Sequence, residues 1–167
     1  MGDFSNLISD QFKTIDFVNR VRIKFGILDK DKSTIQTIQV FHLDGSTSEQ
    51  EMSLSDIMYL TEHGTINLPP KKVLRRIFEK INYEIGEKVE DIIFNVINNG
   101  WKEMEVRNEF ILYNERINHI LIPTAIDETI ASDNVISGLL SQEKSQNYVF
   151  DLQKLKKFLK SEIFFTN

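Results

Sequence analysis

Cysteine is absent from all 167 residues, which removes disulfides, thiolate metal ligands and cysteine nucleophiles together and implies synthesis in a cytoplasm. Long apolar runs are missing as well, none approaching the roughly 20 residues that a bilayer span needs, so no membrane partner is expected. There is no cationic surplus: 20 Lys and Arg face 25 Asp and Glu, a net charge of −5. A dedicated nucleic-acid-binding domain carries the opposite balance, because it must neutralise phosphates. The opening Met1-Gly2-Asp3-Phe4 has neither a basic leader nor an apolar segment with a small-residue cleavage site, and Asn6 stands where a myristoylation motif carries Ser or Thr. The seven glycines never cluster into a phosphate-cradling loop, and no nucleophile elbow occurs.

What is present is a globular balance of 41% hydrophobic and 27% charged residues, at a length that suits one domain over residues 1–167. Leu7, Ile8, Phe12 and Ile15 recur at helical spacing and predict an amphipathic helix within 1–16, capping one end of the domain. Val21, Ile23, Phe25 and Ile27 alternate with Arg20, Arg22, Lys24 and Gly26, and a β-branched run from Ile35 to Leu43 follows a polar turn; the two predict a β-hairpin over 17–43. Residues 44–53 begin with Asp44-Gly45-Ser46, are almost entirely polar and read as an exposed loop. A short helix over 54–64 is capped by Ser53 or Ser55 and stops at Gly64.

Pro69-Pro70 then suits the first turn of a helix. Val73, Ile77, Ile81, Ile85, Val89, Ile92 and Val96 give that helix a continuous apolar stripe, and Gly100 ends it. A second helix carrying Val106, Phe110, Ile111, Ile117 and Leu121 returns along it, so that 69–122 forms a long helical hairpin closed by Pro123. Residues 123–147, rich in Ser, Asp, Asn and Gln, read as an extended loop, and 151–166 as a short helix capped by Asp151 followed by a terminal strand. The fold class is α+β: a small antiparallel sheet, built from the early hairpin and the last strand, packed against a long helical hairpin with extended loops.

Reactive constellations are scarce. His42, His63 and His119 stand at no metal-ligand spacing, and neighbours such as Glu62 and His63 point about 100° apart on a helix, so they do not face each other. Adjacent acids, Glu90-Asp91 and Asp127-Glu128, have the pattern of solvated surface. We therefore expect no catalytic residue, no cofactor and no metal site. The run Lys71, Lys72, Arg75 and Arg76 stands out in an acidic chain, and its place at a helix start is opposed by the helix dipole. It is read either as a solvated face or as a patch meeting an acidic neighbouring subunit or DNA.

One continuous phrase carries a resemblance. Leu43-Asp44-Gly45 is followed by a polar loop, Leu54 to Thr65, Ile66-Asn67-Leu68-Pro69-Pro70 and then Lys71 to Phe78. In order and spacing this resembles the tail-completion, or neck, proteins of long-tailed bacteriophages, in which a strand and a glycine turn lead through a short helix and a His-Glu-Phe-Gly-Thr-like phrase to Ile-Pro-x-Arg-Pro-Phe-Leu-Arg. Tyr148 to Phe158 resembles the family's closing phrase, Leu-Ile-Asp-Thr-Gly-x-Leu, and the likeness spans about residues 17 to 166. The chain departs from the pattern at Thr61-Glu62-His63, at the missing second proline of the Pro-x-Arg-Pro phrase and at Leu152-Gln153. Gly64, Pro69 and Pro70 keep the phrase's physical role, which is to bend the backbone.

The resemblance implies a non-enzymatic virion protein in the neck of the tail, assembled in the host cytoplasm. It would form a homo-oligomeric ring of 6 or 12 copies between the head connector or portal and the tail-tube or tail-terminator proteins, in passive contact with packaged DNA. Residues 44–53 and 124–147 would be ordered by those neighbours. The alternative is a small phage-encoded binding module that grips a host protein through the helical hairpin; a hydrolase ranks last, because no pocket chemistry is visible.

Overall fold

The computed structural model describes residues 2–42, 44–64, 70–139, 147–149 and 152–166. Helix α1 spans Gly2–Arg20, strand β1 Val21–Ile27, β2 Ile35–Phe41 and β3 Thr47–Ser53; α2 follows at Leu54–His63, α3 at Val73–Asn99 and α4 at Glu103–Arg116. A π-helical turn at Ile117–Leu121 leads into α5 at Ile122–Leu139, after which come β4 at Asn147–Val149, a 3-10 helix at Leu152–Lys157 and β5 at Leu159–Phe165. The protein is α+β. Helix α1 outruns its expected bounds because the apolar spacing continues to Phe17 and Val18, both buried, before the alternation of β1 takes over.

The predicted 17–43 hairpin does not form, and the strands belong to two sheets. β1 pairs antiparallel with β5, from Val21↔Phe165 to Ile27↔Leu159, while β2 sits between β3 and β4. The turn after β1 closes on itself through Asp31 N–H to the Leu28 carbonyl and Thr34 N–H to the Asp31 carbonyl, and the chain leaves for the second sheet. Residues 44–53 are not a loop either. Asp44-Gly45-Ser46 makes a tight turn in which Ser46 N–H bonds Asp44 Oδ1 at 2.8 Å and Gly45 takes φ 85°. The polar run that follows is then free to pair its backbone as an edge strand with an exposed face, for which apolar side chains are not required.

Helix α3 serves two cores in sequence. Val73, Ile77 and Ile81 pack with Met58, Tyr113, Ile117, Leu121, Ile126, Leu155 and Leu159; Ile92 and Val96 pack with Phe17, Val18, Val106 and Phe110. Gly100, in the left-handed region at φ 66°, reverses the chain, and its N–H caps the Asn95 carbonyl. Lys102 N–H bonds Glu105 Oε2 at 3.0 Å, which satisfies one of the free amides at the start of α4.

Pro123 does not close the second arm of the hairpin, and 123–139 is helix throughout rather than extended loop; 140–146 lie outside the described residues. Proline lacks the N–H for an α-helical bond and its ring crowds the carbonyl four residues back. The π-turn resolves both problems by inserting one extra residue: Ile122 N–H reaches the Ile117 carbonyl, five residues back, and the spiral is widened where the ring must fit. Beyond it Ile122, Ala125, Ile126 and Thr129 are all buried at helical spacing, the Thr129 hydroxyl donating to the Ala125 carbonyl at 2.7 Å.

Tyr113 lies in the first core and donates its hydroxyl proton to the Ile81 carbonyl at 3.1 Å. Burial, helped by the Glu84 charge and opposed by Arg116, pushes its pKa up to about 12. A group raised in the folded state contributes stability in full below its unfolded value near pH 10, and loses that contribution as pH rises through 12. We expect the urea midpoint of the wild type to fall between pH 10 and 12 more steeply than that of Tyr113→Phe. At neutral pH the variant should cost only about 1 kcal/mol, the worth of one hydrogen bond.

Candidate functional site

The predicted bend and basic run meet at the α2–α3 junction. Ser53 caps α2 by accepting from Asp56 N–H at 3.1 Å, and Gly64 ends it at φ 74°, its N–H returning to the Leu60 carbonyl at 2.8 Å. A positive φ of this kind costs glycine little and other residues more. Pro69 lies outside the described residues; Pro70 precedes α3, which starts at Val73, four residues after the expected start at 69. Lys71 N–H bonds the Thr61 carbonyl at 2.8 Å, and Lys72 takes a left-handed φ of 54° without capping the helix through its side chain.

The missing cap comes from α2. Glu62 presents both carboxylate oxygens to the first turn of α3, at 2.8 Å from Leu74 N–H and 3.3 Å from Arg75 N–H. A negative group there also offsets the helix dipole and the neighbouring cations. Glu62 is thus a structural acceptor, and Glu62→Ala should lower stability by about 1 kcal/mol, with the loss visible as faster amide exchange at Leu74 and Arg75.

The four cations do not converge on one outward patch. Arg76 reaches across to α5, within 3.1 Å of Ser132 Oγ and 3.3 Å of the Glu128 carbonyl, and so straps the helices together. Arg75 pairs along its own helix with Glu79 at 3.0 Å. Of the run, Lys72 alone has no charged partner and no side-chain hydrogen bond among the described residues, and it is exposed.

The histidines lie apart from one another, each in its own surroundings. His42 Nε2 lies 2.7 Å from Ser48 Oγ, His63 rests against the Tyr59 ring, and His119 sits exposed in the π-turn. Among the described residues no group of three His, Asp or Glu is placed to hold a metal ion. Where α3 and α4 run side by side, Glu84 is held by Arg116 at 2.8 and 3.0 Å and Glu109 by Lys88, so these charges are already matched.

Sequence reasoning missed two surface features. The first is a groove of about 240 Å³ between β1 and α3, walled by Val21, Ile23, Phe25, Phe78, Ile81 and Ile85, with the Phe25 and Phe78 rings 6.4 Å apart. Alternation in β1 placed Ile23 and Phe25 on an inward face, but that this face is only half covered depends on where α3 lies. The second is an apolar ridge on α1, where Leu7, Ile8 and Phe12 stand exposed, Phe12 by 69%; the helical spacing that announced a buried face here marks an open one. Contiguous exposed apolar surface of this kind is a mark of protein–protein contact. Compared with known proteins, the chain matches no family model, no curated protein and no solved structure.

Proposed function

We propose that this chain is a structural virion protein of a tailed bacteriophage, a tail-completion or neck subunit that joins the head connector to the tail tube by assembling into a ring. The observation that carries the reading is the run from Asp44 through α2 to α3. Its residues resemble the neck-protein phrase, and those described act as turn, cap and bend: Gly45, Ser53, Glu62 and Gly64 shape backbone and contribute no reactive group. The exposed ridge on α1 and the open groove beside β1 support a molecule that works by docking against other chains. Among the described residues no helix is long and apolar enough to cross a membrane.

The test is the mass of the purified protein by light scattering, at several concentrations and with connector or tail-tube subunits added. A discrete ring-sized species, alone or with one of those subunits, is the expected result. A strict monomer indifferent to all of them would overturn the neck reading in favour of a module that binds a host protein.

A further inference from the structure

Among the described residues the two sheets end in four edge strands, β1 and β5 in one and β3 and the three-residue β4 in the other, and hydrogen bonds fix which backbone groups face outward on β1, β5 and β3. On β5, Ser161 spends both its N–H and its carbonyl on the side chain of Asn118, at 2.7 and 3.1 Å. Ser161 therefore does not bond to its opposite residue Phe25, and by the alternation of an antiparallel ladder neither do Val21 and Ile23 bond to theirs. Asn118 closes the β5 edge at its middle, while Ile23 and Phe25 of β1 turn N–H and carbonyl to an edge with no strand beside it among the described residues. In the other sheet, His42 N–H to Ser46 carbonyl and Leu54 N–H to Thr34 carbonyl, both 2.9 Å, set the same alternation. Thr47, Glu49, Glu51 and Ser53 of β3 consequently face their groups to the outer edge of that strand, which has no strand beside it among the described residues.

Charge sorts the pairings these edges can make. The exposed side chains of β1 are Arg22 and Lys24; those of β3 include Glu49 and Glu51, which have no ion-pair partner among the described residues. Arg22 has no carboxylate partner among the described residues and donates to the backbone carbonyls of Asn19 and Val21, at 2.7 and 2.9 Å, and Lys24 has an exposed contact with Asp29 at 3.8 Å. Two β1 edges brought together would oppose cation to cation, and two β3 edges acid to acid, each destabilising. A β1 edge meeting a β3 edge is attractive.

Resting on the assembly reading above, we infer that copies of this chain join by adding β3 of one protomer to the open β1 edge of the next, in parallel. Both strands are seven residues long. Parallel pairing sets residues with outward backbone groups opposite residues without them, so Glu49 lies beside Arg22, Glu51 beside Lys24, and Gln50 and Met52 beside Ile23 and Phe25. Met52 then covers the mouth of the apolar groove at Phe25 and Phe78. Antiparallel pairing would instead drive the two glutamates onto that apolar face, at a cost no cation offsets. A contact between two different edges is heterologous and propagates round a ring, whereas a two-fold pairing stops at a dimer.

The experiment uses the full chain in two variants, Arg22→Glu/Lys24→Glu and Glu49→Lys/Glu51→Lys, each checked for wild-type circular dichroism and weighed by light scattering over a concentration series. Each alone should associate at least about tenfold more weakly than the wild type, since like charges now oppose across the contact. Their equimolar mixture should recover association, because the acid edge of one meets the basic edge of the other, and so should the four-fold variant. Wild-type association in both variants, or loss without recovery in the mixture, would overturn the edge pairing while leaving ring assembly intact. A wild type that stays monomeric alone also overturns it, and the neck reading then stands or falls on added connector or tail-tube subunits.

Discussion

Phe110→Ala is expected to destabilise the protein by about 3–5 kcal/mol, the usual cost of deleting a fully buried aromatic ring and leaving a cavity behind. Phe110 is 2% exposed and central to the second core, where Phe17, Val18, Ile92, Val96 and Val106 surround it. Collapse around the void is resisted from two sides. Arg107, one turn before, lies over both the Phe165 and Phe17 rings, at 4.2 and 5.1 Å, and those rings are stacked 5.7 Å apart. That layer fixes α1, α4 and β5 relative to one another, so the backbone cannot move in to fill the space. Urea denaturation should show a midpoint far below the wild type with little change in slope. A loss under about 1 kcal/mol would mean that this core repacks freely.

The second large effect is expected at Asn118. Its side chain donates to the Ser161 carbonyl at 3.1 Å and accepts from Ser161 N–H at 2.7 Å, acting as one residue of an absent strand, while Asn114 takes the Ser161 hydroxyl at 2.6 Å. Ser161 is buried, so Asn118→Ala would leave a donor and an acceptor without partners and without water. At roughly 1–3 kcal/mol for each orphaned group, a loss of about 2–4 kcal/mol is expected. Hydrogen exchange localises it: the Ser161 amide should lose protection well before the interior of α3. Unchanged protection there would show that another group closes the edge.

How far the sequence foretold this molecule depends on how local each determinant is. The stripe from Val73 to Val96 and the stop at Gly100 are written within single elements, and both appear as expected. The same holds for the Ser53 cap and for Gly64, whose roles are completed within four residues. Strand partners are different: Val21 to Ile27 alternates cleanly, yet its partner lies 132 to 144 residues away, and alternation says which face is apolar without saying which strand stands alongside. Thr47 to Ser53 was misread because an exposed edge strand carries the composition of a loop. Pro123 was misread because a rule about α-helical bonds was applied where the helix widens to a π-turn. At the surface, Glu62 was found in sequence as a neighbour of His63, whereas its function is set by amides 12 and 13 residues on. The basic run was legible as charge, but only the position of α5 reveals that Arg76 is a strap.

The pairing of β1 with β5 has a bearing on synthesis. Strand β1 leaves a ribosome well before β5 and must wait for residues 159–165 before it acquires its ladder, a delay on the order of 10 seconds at ordinary elongation rates. During that interval Ile23 and Phe25 lack their partner strand, and the long loop closure ahead favours slow, late docking of this sheet. Helices α3 and α4, whose contacts are nearer in sequence, can pair first and offer the groove wall against which β1 waits. Arg22 and Lys24 then serve the nascent chain as well as the finished one, since cations spaced along an unfinished strand discourage two growing chains from pairing with each other.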